Sequence, residues 1–225
     1  MERLHCDIIA LQEVWQPTDG SIHLRNFSQP ILKIRSQKAG GGVALIPHKK
    51  VKSLHLKEFD VDGLEAVWAE VMIRHVRTVI GSVYVPPGDI SALDLLDNII
   101  GHILSQHSQV VICMDANSRN ILWDDSCIGL SPSQRSVQMG VKLENIVNKY
   151  DLHIHNNGTA TYRSGDITTA PDVTLSTGLT KYGNINWSTV DYDFRSPHDG
   201  IVLEIGTRVD SFRKELINWK CFDSY

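Results

Sequence analysis

Cysteine is scarce and scattered. The chain has four, Cys6, Cys113, Cys127 and Cys221. No two are spaced as CxxC, which argues against a zinc site and fits a reduced compartment. Two of them sit in or beside apolar runs, where cysteine acts as a small buried hydrophobe. No apolar run is long enough to cross a bilayer, so no membrane partner is expected. The opening residues, Met1 to Asp7, lack the charged-then-apolar plan of a signal peptide. The expectation is an intracellular protein. Positive charge is not in excess either. The formal net charge is −4, whereas a dedicated duplex-binding protein is usually basic. A metal-dependent nuclease concentrates carboxylates at its centre, so this balance leaves nucleic acid open as a partner. The local basic segments, Lys33, Arg35 and Lys38, then Lys49, Lys50 and Lys52, each read alone as solvated surface. Internal repeats, low-complexity tracts and long linkers are absent.

What is present is ordinary globular material. The chain has 225 residues, 42% hydrophobic and 21% charged, which fits one large α/β domain with a substantial core. Asp7 to Leu11 and Val43 to Ile46 are short apolar runs that read as buried strands, the second following the break at Gly40-Gly41-Gly42. Ala66 to Ile73 alternates as a strand does. Thr78 to Val85 is rich in Val, Ile and Tyr and ends at the turn signal Pro86-Pro87-Gly88. Asp89 to Gln106 carries Leu93, Leu96, Ile99, Ile100 and Ile103 at helical spacing. Ser91 is its expected N-cap, with Asp94 in the capping-box position. Gln109 to Met114 is a β-type run. Ser136 to Tyr150 reads as a helix with Val137, Val141, Leu143, Ile146 and Val147 on its apolar positions. Leu152 to His155, Val173 to Leu175, Ile185 to Phe194 and Ile201 to Ile205 read as later strands. Strands near the chain ends are not separated by helices, so two packed sheets with helices outside fit better than one doubly wound sheet.

Three polar features stand at strand ends. Glu13 follows a buried strand. Asp115 and Asn117 follow another. His198, in Ser196-Pro197-His198-Asp199-Gly200, directly precedes a third. Polar groups at strand ends can converge at one edge of a sheet, where ligands bind. Together they suggest phosphate-ester hydrolysis. A carboxylate such as Glu13 suits Mg²⁺, an Asp can orient or deprotonate water, an Asn can donate to a phosphoryl oxygen, and a His can serve as acid–base or as a cation. Taken singly, each also has a plain reading: a surface Glu, an Asx turn, a structural His. Trp68, Trp123 and Trp187 read as packing aromatics. Trp15 reads as a loop residue beside Glu13.

Their joint order resembles the endonuclease/exonuclease/phosphatase superfamily. Asp7-Ile8-Ile9-Ala10-Leu11-Gln12-Glu13 is similar to its "D-I-I-x-L-Q-E" motif, and Gly41-Gly42-Val43-Ala44-Leu45 to its glycine-led strand. Ser82-Val83-Tyr84-Val85-Pro86-Pro87 is similar to the segment whose Tyr contacts phosphate. Met114-Asp115-Ala116-Asn117 resembles "G-D-F-N", with Met114 for Gly and Ala116 for Phe. Pro171-Asp172-Val173 is similar to the late segment whose Asp pairs with the catalytic His, and Ser196-Pro197-His198 stands where the family has "S-D-H". Within the superfamily, Asn117 to Trp123 and Asn157 to Tyr162 resemble segments of non-LTR retrotransposon endonucleases, and Asn218 to Phe222 resembles the segment just beyond that domain, on the way to a reverse transcriptase.

The resemblance implies a four-layer α/β/β/α sandwich spanning residues 1–208. Residues 209–225 would be an extension toward a reverse transcriptase domain of a parent polyprotein. It implies Mg²⁺-dependent (or Mn²⁺-dependent) nicking of DNA to leave a 3′-hydroxyl, and a nuclear location. By position, Glu13 would hold the metal, Tyr84 would touch phosphate and Asp115 would position the attacking water. Asn117 would stabilise the pentacoordinate state and bind substrate, and Asp172 would orient His198. Arg35 and Lys38 are candidates for contacting backbone phosphates. Two departures bear on activity. The family's preceding strand, with an Asn near the metal, has no counterpart before Met1, which leaves a gap in the expected sheet. Pro197 replaces a metal-site Asp. Weakened metal binding and slow turnover are the expectation. The alternatives are a non-catalytic DNA-binding domain of the same fold and a phosphodiesterase or phosphatase of the same superfamily.

Overall fold

A computed structural model describes residues 6–15, 22–35, 40–73, 75–131, 133–179, 184–190 and 196–206, and the backbone of 215–220. Its elements in chain order begin with β1 (Ile8–Gln12), β2 (Ile31–Lys33), β3 (Val43–Pro47), β4 (Ser53–His55), β5 (Glu65–Ile73) and β6 (Val76–Tyr84). Helix α1 (Ile90–Gln106), β7 (Val110–Asp115) and helix α2 (Arg135–Lys149) follow. The remaining strands are β8 (His153–Ile154), β9 (Tyr162–Ser164), β10 (Ile167–Thr169), β11 (Asp172–Ser176), β12 (Asn184–Val190), β13 (Gly200–Gly206) and β14 (Glu215–Lys220).

Two mixed sheets form. The first runs β12-β13-β14-β1-β3-β2, the second β4-β5-β6-β7-β11-β8, and β9 pairs with β10 as a separate hairpin. Alternation along the strands divides the core. In the second sheet, Trp68, Val79, Val83, Ile112 and Met114 face α1 and α2, together with Leu93, Leu96, Leu143 and Ile146. The intervening residues, Val67, Ala69, Ile80, Val111 and Cys113, face the first sheet and meet Ile8, Ala10, Val43 and Leu45. A sheet buried on both faces needs nearly continuous apolar strands, which is why β7 reads as an unbroken run. The outer face of the first sheet (Ile9, Leu11, Ala44, Ile46) is covered by Ile22, Leu24 and Phe27 of an irregular segment. The result is the α/β sandwich expected, with both described helices outside the second sheet.

Four details depart from the sequence reading. Asp89, not Ser91, caps α1: its carboxylate accepts from the Ala92 amide at 3.2 Å. The helix starts at Ile90, so Asp89 is the residue placed to reach that amide. Asp94 instead pairs with Lys142 on α2. Val141 is half exposed, because α2 turns Met139, Leu143, Ile146 and Val147 inward. The stretch 209–225, expected beyond the domain, contributes β14 to the middle of the first sheet. There it lies parallel to β1 and antiparallel to β13. The gap expected beside β1 is therefore filled by a strand from the far end of the chain.

One close approach matters for the second sheet. Gly81 on β6 faces Trp68 on β5 across the ladder. A Cβ at Gly81 would lie 2.3 Å from the Trp68 ring, so only glycine admits the buried indole.

Candidate functional site

The polar residues gather at one end of the space between the sheets. Side chains at i and i+2 share a strand face. Ser82 and Tyr84 on β6, Cys113 and Asp115 on β7, and Asp172 and Thr174 on β11 therefore all point toward the first sheet. The register joins them: Tyr84 is the cross-strand partner of Asp115, and Asp115 of Asp172.

Glu13 comes to this edge from the opposite sheet. It follows β1 with φ of +52°, a left-handed turn that ends the strand. The turn is pinned by the Val14 amide on Gly42 O at 3.2 Å and the Trp15 amide on Gly41 O at 3.1 Å. Burial and then the neighbouring Glu13 carboxylate, to which the phenol donates, push the Tyr84 hydroxyl far above its ordinary pKa. Tyr84 thus stays a neutral donor. Its ring also lies under the Arg35 guanidinium, 5.7 Å from ring centroid to Cζ.

Arg35 is held by Glu65. Its Nε donates to Glu65 Oε1 at 2.8 Å, while Glu65 Oε2 accepts from the Gly42 amide at 2.6 Å. Gly41, at φ of +74°, packs so tightly here that a Cβ would meet Glu65 Oε2 at 2.5 Å. Lys38 lies outside the described residues. Trp15 is 54% exposed beside this loop.

Asp115 is fully buried. Its Oδ1 accepts from the Asn117 amide at 3.1 Å, and its Oδ2 from Asn117 Nδ2 at 2.9 Å. Asn117 Nδ2 also donates to Val85 O at 3.0 Å. Both side-chain hydrogens of Asn117 are therefore engaged, and in this geometry Asn117 fastens Asp115. Asp172 is buried too, and its Oδ2 accepts from Thr161 Oγ1 at 2.6 Å and from His198 Nδ1 at 2.8 Å. The His198 ring packs edge-on against Tyr162, with centroids 4.7 Å apart.

The structure thus links Glu13, Tyr84, Asp115, Asn117, Asp172 and His198 into one contiguous set, with Arg35 at its margin. Gln12, Glu65, Ser82, Thr161 and Tyr162 support it without having been singled out for a role. Thr161 and Tyr162 fall in a segment whose likeness was visible, but only pairing with β11 and His198 reveals what they do.

A family model described as endonuclease-reverse transcriptase matches residues 78–202, more than half of the chain. The chain belongs to that family. Its fold is that of the endonuclease/exonuclease/phosphatase superfamily. The endonuclease domain of TRAS1, a telomere-specific non-LTR retrotransposon, superposes with a TM-score of 0.67 at 17% identity, covering 91% of this chain and 87% of that one. The catalytic domain of APE2 from Xenopus laevis gives 0.69 at 14% identity, covering 94% and 84%. The 3′ phosphatase NExo from Neisseria, bound to a product DNA hairpin, gives 0.64 at 15% identity, covering 88% of each chain. No curated protein matches by sequence.

Against this endonuclease fold, the donor set is sparse. Among the described residues, no three His, Cys, Asp or Glu side chains gather as a metal cage. Glu13 and Asp115 flank Tyr84. Such a set suits Mg²⁺, which keeps several waters and uses one or two carboxylates plus substrate phosphate. It does not suit a metal enclosed by protein alone. At the position of the motif Asp, Pro197 offers its carbonyl, which accepts from the Arg163 amide at 2.8 Å. Asp199 is ion-paired with Arg163, and Asp193 lies outside the described residues. Among the described residues, no helix is long and apolar enough to cross a membrane.

Proposed function

We propose that this chain is a Mg²⁺-dependent endonuclease that hydrolyses DNA phosphodiesters slowly. The observation that carries the reading is the Asp172–His198 pair lying beside Asp115, with Tyr84 and Glu13 on the same edge. In this reading Glu13 is the residue that holds the metal, with Mn²⁺ able to replace Mg²⁺. The metal would polarise a phosphoryl oxygen and neutralise developing charge. Asp115, fixed by Asn117, accepts the proton of the attacking water. Water oxygen bonds to phosphorus, the P–O3′ bond breaks, and O3′ takes a proton from solvent water to leave as a hydroxyl, while Asp115 returns its proton to solvent. His198 donates to the phosphate while Asp172 holds its Nδ1. Tyr84 donates a hydrogen bond to phosphate, and Arg35 supplies positive charge beside it. Asn117 reaches the pentacoordinate phosphorus only by releasing Val85 or Asp115. Target-site nicking for reverse transcription, a nuclear setting and a reverse transcriptase elsewhere in the polyprotein belong to this proposal.

A second reading, a DNA-binding domain without catalysis, is favoured by the sparse metal donors and by Pro197. A supercoiled-plasmid nicking assay with Mg²⁺ separates the two. Nicking that is lost in both His198→Ala and Asp115→Ala supports the nuclease. Plasmid binding with no nicking above background rejects it in favour of the second reading.

A further inference from the structure

Gln12 is a polar side chain inside an apolar interface. It is the last residue of β1 and is fully buried between the sheets. Its Nε2 donates to Ser82 Oγ at 2.9 Å and to the Cys113 carbonyl at 3.2 Å. Ser82 Oγ in turn donates to the Leu11 carbonyl at 2.8 Å. Among the described residues, the buried Gln12 Oε1 atom has no hydrogen-bond partner. Leaving a buried acceptor unmatched is unfavourable, and an apolar residue of the same size would avoid it. Stability alone therefore gives no reason for an amide here.

Its position supplies one. Ser82 and Cys113 are cross-strand partners, as are Tyr84 and Asp115 two residues further along the same strands. Gln12 therefore bonds to the rung directly beneath the Tyr84–Asp115 rung, while the next residue of its own strand is Glu13. Elsewhere the two sheets meet through Ile8, Ala10, Val43, Leu45, Val67, Ala69 and Ile80. Apolar contact is non-directional, so it sets the spacing of the sheets but resists sliding weakly. The Gln12 bonds are directional and tie one strand of the first sheet to two strands of the second.

We propose that Gln12 is a positioning residue: it fixes the offset between the sheets and thereby sets Glu13 against Tyr84 and Asp115 for metal and phosphate. This rests on the hydrolase reading above. The measurement is Mn²⁺ affinity of the full chain without DNA, read from the free-ion electron paramagnetic resonance signal, alongside the thermal midpoint. Gln12→Met keeps the volume and removes the bonds. Its midpoint stays close to that of the unaltered protein, and its Mn²⁺ affinity falls by about tenfold, the scale for residues supporting a metal ligand. Ser82→Ala, which leaves the Gln12 bond to Cys113, weakens affinity by less. Unaltered Mn²⁺ affinity in Gln12→Met overturns the inference, whatever the midpoint does. Should Gln12→Met not fold, Ser82→Ala decides alone, with unchanged affinity counting against. Glu13→Gln is the control for the parent reading. If it binds Mn²⁺ as the unaltered protein does, the metal site at Glu13 fails and this inference falls with it. Loss in Glu13→Gln without loss in Gln12→Met rejects the positioning role alone.

Discussion

His198 Nδ1 donates to Asp172 Oδ2 at 2.8 Å, and Asp172 is itself the cross-strand partner of Asp115. The imidazole is therefore oriented from a rigid strand rather than from its own loop. Asp172→Asn keeps the shape and can keep an accepting oxygen where Oδ2 stands, but it removes the negative charge beside His198. Nicking should fall by about a hundredfold or more, the scale of general acid–base contributions, with the circular dichroism spectrum unchanged. Retained nicking in Asp172→Asn would show that His198 needs no partner.

Pro197→Asp tests the sparse donor set. The Pro197 carbonyl already accepts from Arg163 N, so the backbone there is anchored and a carboxylate can be added without moving it. Nicking should rise, and the Mg²⁺ concentration for half-maximal rate should drop. No change in either would place the deficit elsewhere in the site.

Gly81→Ala should destabilise the fold. The added methyl would sit 2.3 Å from the Trp68 ring, and Trp68 is fully buried with nowhere to swing. Overpacking of this kind costs about 1–3 kcal/mol. A urea titration checks it through the midpoint at unchanged slope.

His155 makes stability depend on pH. Burial, then the charge of His153, lowers its pKa to about 4, and its Nε2 lies 2.7 Å from Ser176 Oγ. Unfolded, the group titrates near its ordinary value of about 6.5. Between those values the unfolded chain binds more protons, so stability falls as pH drops from about 6.5 toward 4. The loss reaches up to about 3 kcal/mol. His155→Gln should flatten that part of the profile, measured by urea midpoints at pH 7 and 4.5. An equally steep profile in the variant would assign the dependence to another group.

Much of this was legible in the sequence because it is local. The β7 run and the helical spacing of Leu93 to Ile103 encode burial on a strand and on a helix, and each element forms where its pattern lies. Glu13, Asp115 and His198 were readable as strand-end residues because convergence at a sheet edge follows from strand direction. What was not legible depends on distant partners. Arg35 reads as a surface cation until Glu65, thirty residues later, clamps it. Asn117 reads as a phosphate donor until its amide is seen to bond Asp115 and Val85. The buried bridge from Gln12 to Ser82 joins two sheets, and no spacing in one segment announces it.

The seating of β14 has a consequence for synthesis. Ile8 pairs with Leu216 and Gln12 with Lys220, so the seam beside β1 joins residues about two hundred positions apart. A ribosome must release residues through Lys220 before that seam can zip. Until then β1 and β13 present bare edges to any other strand nearby, the situation that invites mispairing. Translation that stalls near residue 208 would leave a nascent product open along its middle, prone to clump with its own copies.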